Sequence, residues 1–201
     1  TKLALTAIRD FPDGVRSVVL DSTYPLEVDA FAEIFPNAKR AFELLFDGCR
    51  TNRSCDSAYP EIETALWELL DRLDTKPVSV PVTDPISRDR HQVLLTRERM
   101  IDLVFGSLYV SDFIPLLPKA ITSARGGDYN IVSLLYGIQL AQLGFISRGM
   151  GTSVQCGEEV RFSSRQKVDS VAAAFPRFRD HFSRSPIFEV CSDWGARVAD
   201  P

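Results

Sequence analysis

Residues 1–25 read Thr1-Lys-Leu-Ala-Leu-Thr-Ala-Ile-Arg-Asp-Phe-Pro-Asp-Gly-Val-Arg-Ser-Val-Val-Leu-Asp-Ser-Thr-Tyr-Pro25. Between Lys2 and Phe11, the apolar residues Leu3, Ala7, Ile8 and Phe11 recur at helical spacing, and Pro12-Asp13-Gly14 ends the run. Val15 to Leu20 then places Val18, Val19 and Leu20 consecutively, the pattern of a strand covered on both faces in a parallel sheet. Helix, tight turn and buried strand make half of a βαβ unit, so the preceding strand is expected upstream of Thr1 and the chain is expected to open inside a domain, as a processed or excised piece. With its partner strands elsewhere, Val15 to Leu20 should favour self-association.

Beyond Pro25 the apolar spacing becomes helical. Ala38, Phe42, Leu45 and Phe46 share one face, and Ile62, Leu66, Leu69 and Leu73 share another, with Pro60 suited to a first turn. Val78 to Val82 alternates like a strand and can pair with Gln92 to Thr96 across a polar loop. Thr96 can cap a helix carrying Met100, Ile101 and Val104, and Leu116 to Ala124 follows Pro115 as another. Gly126-Gly127-Asp128 breaks the chain. Ile131 to Ile146 is apolar on nearly all sides, which predicts a helix buried by its neighbours. Arg165 to Ala174 is expected to be helical until Pro176, and Ile187 to Cys191, after Pro186, extended. The fold class is therefore mainly α with a small hairpin.

The whole sequence has 201 residues, 45% of them hydrophobic, 25% charged, and a net charge of −4. One large domain can bury a core at this length. The near-neutral balance excludes a polybasic nucleic-acid binder, so no nucleic-acid partner is expected. Acids predominate from Asp21 to Asp74 and bases from Arg161 to Arg184, a distribution suited either to solvated helix faces or to steering of a charged ligand. The longest apolar stretch, Ile131 to Ile146, is interrupted by Ser133, Gln139 and Gln142 and falls short of the roughly 20 residues that span a bilayer, so no membrane segment is expected.

The four cysteines form an even set in two neighbourhoods, Cys49 with Cys55 and Cys156 with Cys191, without the C-x2-C pairs of a zinc site. Cys49–Cys55 and Cys156–Cys191 are expected to be bridged in a protein outside the cytoplasm, secreted or in the cell envelope; the alternative is four free buried thiols in a cytoplasmic one. No P-loop, G-x-G-x-x-G or H-E-x-x-H occurs, and neither a metal nor a cofactor is expected. A serine hydrolase needs a G-x-S-x-G elbow followed by an acid and a histidine. Here Gly151-Thr152-Ser153-Val154-Gln155 lacks the closing glycine, and His91 and His181 read as surface residues.

The 1–25 stretch resembles the segment that follows the nucleophile elbow in α/β-hydrolases related to tripeptidyl aminopeptidases and proline iminopeptidases. Phe31 through about Arg184 is similar to their helical cap, or lid, including the Cys49/Cys55 loop, the Gly127-Asp128 break and Ser153-Val154-Gln155-Cys156 followed by two acids. Cys191 with Trp194 resembles the end of the cap. The resemblance implies a hydrolase-core piece at 1–25 and a cap with its return to the core at 26–201. It also places the nucleophile before Thr1 and the other two triad members after the cap, so no catalytic residue falls in this chain. In such enzymes the cap shapes the pocket for a small peptide or ester substrate, and its acids grip the free amino terminus of a peptide. Glu158 and Glu159 are the matching positions. Adjacent residues diverge by about 100° on a helix and point oppositely on a strand, so only one of the two is expected to face a pocket. The alternative is a self-standing helical binding or interaction domain without catalysis.

Overall fold

The computed structural model describes residues 1–143 and 145–196. Residues 197–201, the tail of the expected cap region, lie outside them, as does Gly144 within the apolar stretch. The chain runs through α1 (Lys2–Asp10), a 3-10 turn (Pro12–Gly14), α2 (Ala30–Thr51), α3 (Arg53–Ala58) and α4 (Ile62–Thr75) to the hairpin β1 (Val78–Thr83) and β2 (Arg90–Leu95). It continues through α5 (Arg97–Ser107), a 3-10 turn (Ile114–Leu116), α6 (Leu117–Arg125), α7 (Asn130–Leu143), α8 (Arg148–Glu158), a 3-10 turn (Val160–Phe162), α9 (Arg165–Ala172), α10 (Pro176–Phe182) and α11 (Ile187–Asp193). It is a mainly helical fold with a small hairpin.

Asp29 starts α2 by accepting the backbone N–H groups of Phe31 and Ala32 on its carboxylate, the usual remedy for unpaired donors at a helix N-terminus. The inward stripe of α2 then brings Phe35, Ala38, Phe42, Leu45 and Phe46 into the core. Phe42 stands at its centre, 5.1 Å from Phe178 of α10, 6.3 Å from Trp67 of α4 and 6.4 Å from Phe105 of α5 between ring centroids. Through these rings one helix gathers three others around itself, with the tilted and offset arrangements that aromatic quadrupoles favour. Arg72 of α4 donates to the carbonyls of Ala124 and Arg125, both at 2.7 Å, tying α4 to the end of α6. Gly127, at φ +93°, turns the chain out of α6, and the N–H of Asp128 returns to Ser123, a left-handed helix ending that glycine adopts without steric cost.

The hairpin is antiparallel, pairing Val80 with Val93 and Val78 with Leu95. Its outer edge is covered by α7, where Ser133 Oγ donates to the Pro81 carbonyl. Gly137, one turn further, lies so close to β1 that a Cβ there would sit 2.3 Å from the Thr83 carbonyl oxygen. Disulfides join Cys49 to Cys55 at the α2–α3 corner and Cys156 of α8 to Cys191 of α11, each with Cα atoms 5.1 Å apart.

Three sequence expectations are corrected. Val15 to Leu20 forms no ladder among the described residues, and Val19 is 95% exposed. A strand exists only by pairing, and here β1 and β2 pair with each other. Ile187 to Cys191 is helical rather than extended, because Pro186 serves as the N-cap of α11 and Phe188 packs on Phe31 at 5.4 Å. Ile131 to Ile146 is not buried all round. In α7, Val132, Leu135, Gly137 and Ala141 face inward, whereas Leu134, Leu143, Phe145 and Ile146 are exposed. An all-apolar helix carries no sequence period to show which side meets the core.

No apolar residue before Ala32 is buried. Leu3, Phe11, Val18 and Val19 all present apolar surface, so residues 1–25 lean on a helical body whose core they do not help to build.

Candidate functional site

Ser147 caps the start of α8 by accepting the Met150 N–H on its hydroxyl. The helix ends at Glu158, and Glu159 leaves it with φ −122° and ψ −57°. This end is held in place from the other side. Cys156 is bridged to α11, and Trp194, just beyond α11, donates its indole N–H to Ser153 Oγ at 2.9 Å.

The helix end separates the two adjacent glutamates. Glu158 projects into solvent. Glu159 is 16% exposed and accepts from Lys2 Nζ at 2.6 Å, an ion pair spanning almost the whole chain and landing on the first turn of α1. Lys2 also lies over the Tyr24 ring, 4.4 Å from its centroid. Tyr24 is positioned by its own N–H, which donates to Thr1 Oγ1 at 3.0 Å. Its phenolic oxygen is buried without a hydrogen-bond partner among the described residues. Burial, followed by the negative charges of Glu159, Asp29 and Glu33, pushes the Tyr24 phenol above its ordinary range.

Asp29, 6% exposed, extends this polar layer by pairing with Lys167 Nζ of α9 at 2.9 Å. Burial opposes its ionisation, but Lys167, Ser163 and the Ala32 N–H outweigh it and hold the carboxyl below its ordinary range. The first turn of α1, the start of α2, the end of α8 and α9 thus meet in one charged seam.

The remaining sequence candidates fall elsewhere. Ser153 lies in the body of α8 rather than on a strand-to-helix elbow, with the Trp194 indole as its partner. His91 is exposed on β2 and lines a shallow depression of about 400 Å³ with Asp84, Gln92, Val93, Arg99, Tyr136 and Leu140. The Arg99 guanidinium there donates to the Leu94 carbonyl at 2.7 Å. His181 is not a surface residue as expected: its side chain is 10% exposed and Nε2 is 2.9 Å from Asp102 Oδ1, linking α10 to α5. Among the described residues no group of three or more histidine, cysteine or acidic side chains could hold a metal ion. No single helix among them is long and apolar enough to cross a membrane.

No sequence pattern singles out Lys2, Tyr24, Asp29 or Lys167. Lys2 and Glu159 are 157 positions apart, beyond any helical or strand spacing, so no local pattern signals the seam. Comparison with family models, curated proteins and solved structures finds no match.

Proposed function

We propose that this chain is the cap-bearing part of a secreted serine α/β-hydrolase, a peptidase that removes N-terminal residues or short peptides. Attack by a serine upstream of Thr1 forms an acyl-enzyme that water hydrolyses, while the cap shapes the pocket and its acids hold the substrate's amino terminus. The observation that carries this reading is the Glu159–Lys2 contact. A cap carboxylate reaches the first turn of the helix that, by resemblance, directly follows the nucleophile. The exposed apolar residues of the 1–20 segment offer surface that a hydrolase core would cover, and the two disulfides suit an oxidising compartment.

A self-standing helical binding domain is the competing reading, favoured by a core that uses no residue before Phe31. The complete reading frame separates the two. A G-x-S-x-G elbow directly before residue 1 and an acid and histidine beyond residue 201 support the hydrolase; their absence gives the binding domain. In the hydrolase, Glu159→Gln should lower kcat/KM for peptides with a free amine about ten- to a hundredfold, from the roughly 1.5 to 3 kcal/mol of a hydrogen bond to a charged group. Esters without an amine should be spared, whereas a folding defect would depress both. Glu158→Gln tests the exposed neighbour in the same way. Unchanged substrate ratios in both variants would reduce the cap to a steric cover.

A further inference from the structure

We propose that Tyr24 and Glu159 form an ammonium cage that Lys2 fills in cis, so that an amine-bearing ligand enters only by displacing the Lys2 side chain. The inference rests on the amine-gripping part of the proposed function and not on its hydrolytic part. Two kinds of wall surround the Lys2 nitrogen. The Glu159 carboxylate accepts a charge-assisted hydrogen bond at 2.6 Å. The face of Tyr24, 4.4 Å away, offers the negative side of its ring quadrupole. The carboxylates of Glu159, Asp29 and Glu33 all oppose ionisation of the Tyr24 phenol, with Asp29 itself paired to Lys167. The Lys2 side chain is 20% exposed, so its stem lies along the seam with the ammonium held between these two groups.

This set of contacts suits any primary ammonium, including the N-terminus of a peptide. Lys2 differs from a free ligand only in being tethered. A tethered competitor acts at an effective concentration in the millimolar range, and occupying the site reduces the fraction open to an incoming ligand, raising its apparent Kd in proportion. The cage therefore admits ligands that gain further contacts beside the ammonium, and rejects bare amines.

The test is a titration of the ¹⁵N-labelled 201-residue chain with n-butylammonium chloride, using n-butanol and matched sodium chloride as controls. Amide shifts of Tyr24 and Glu159 provide the readout. Lys2→Met and Lys2→Gln both open the cage, and near-UV circular dichroism identifies the folded variants. Both should bind n-butylammonium about twofold or more tighter than wild type, the factor by which a tethered competitor at millimolar effective concentration raises a millimolar Kd. Adding Glu159→Gln to either should abolish that gain, and adding Tyr24→Leu should reduce it. Equal affinity in wild type and the opened variants overturns the proposal, as does a gain that survives Glu159→Gln. A gain in a chain whose reading frame lacks a serine elbow refutes the hydrolase and keeps the cage; an elbow with no gain does the reverse.

Discussion

Removing the Cys156–Cys191 bridge by Cys156→Ala with Cys191→Ala should be costly, and its magnitude follows from the fold. The cysteines are 35 positions apart. In the chain-entropy treatment, closing a loop of that length removes about 13 cal/mol/K from the unfolded state, or about 4 kcal/mol at 25 °C. The same treatment gives about 2.2 kcal/mol for Cys49–Cys55, whose cysteines are 6 apart. What remains to hold α11 is modest: the Trp194–Ser153 hydrogen bond, the exposed Arg165–Glu189 pair and the Phe31–Phe188 contact. With a urea m-value of about 2 kcal/mol/M, the midpoint should fall by about 2 M for the long bridge and about 1 M for the short one. Urea titrations followed by far-UV circular dichroism, with mass spectrometry of the alkylated wild type to establish both bridges, measure this directly. The order of the two shifts is the decisive quantity. Equal shifts, or a larger one for the short loop, would refute loop entropy as the main contribution.

Three further outcomes are expected. Gly137→Ala should lower Tm by up to about 8 °C in a calorimetric scan, because overpacking the α7–β1 contact costs about 1 to 3 kcal/mol against the roughly 1 kcal/mol of added helix propensity; a rise in Tm would contradict the close approach. Asp29→Asn keeps a competent cap but loses the charge facing Lys167. Since the folded carboxyl titrates below its unfolded value, wild type should be the more stable above about pH 4 to 5, the gap closing as pH falls through the folded pKa; denaturant midpoints that differ equally at pH 7 and pH 2.5 would exclude this linkage. A fluorophosphonate probe should leave the 201-residue chain unlabelled, whereas stoichiometric labelling abolished by Ser153→Ala would make Ser153 a nucleophile despite its place within α8.

Much of the helical body is legible in the sequence because each decisive element carries its own period or punctuation. Ala38, Phe42, Leu45 and Phe46, and likewise Ile62, Leu66, Leu69 and Leu73, are buried as their spacing predicts. Thr96 caps α5 by accepting the Arg99 N–H, and the hairpin pairs across the polar turn that Asp84 organises by accepting the N–H groups of Ile86 and Ser87. Failures occur where the deciding partner is remote. Val15 to Leu20 has the composition of a strand, but composition supplies no partner. Ile187-Phe188-Glu189-Val190-Cys191 reads as extended from its β-branched and aromatic residues, a preference of well under 1 kcal/mol per residue. The bridge to Cys156 and the packing of Phe188 on Phe31 hold it in a helix instead.

The candidate site divides along the same line. Two consecutive carboxylates cannot share one environment, and the sequence carries that much because it depends only on backbone geometry. Which of them turns inward depends on where α8 stops, and the Glu158–Glu159 boundary follows from contacts around it. The Cys156 bridge draws one side of the helix onto α11, while the 3-10 turn beginning at Val160 redirects the chain. Glu159, freed from the helical direction, meets Lys2. A lysine in the first turn of α1 has no local reason to be singled out, and its local environment favours a solvated head on an apolar stem. Its place over Tyr24 and against Glu159 arises only when residues 157 positions apart converge, so the residue that most sharply limits what this site can bind is the one least visible in the sequence.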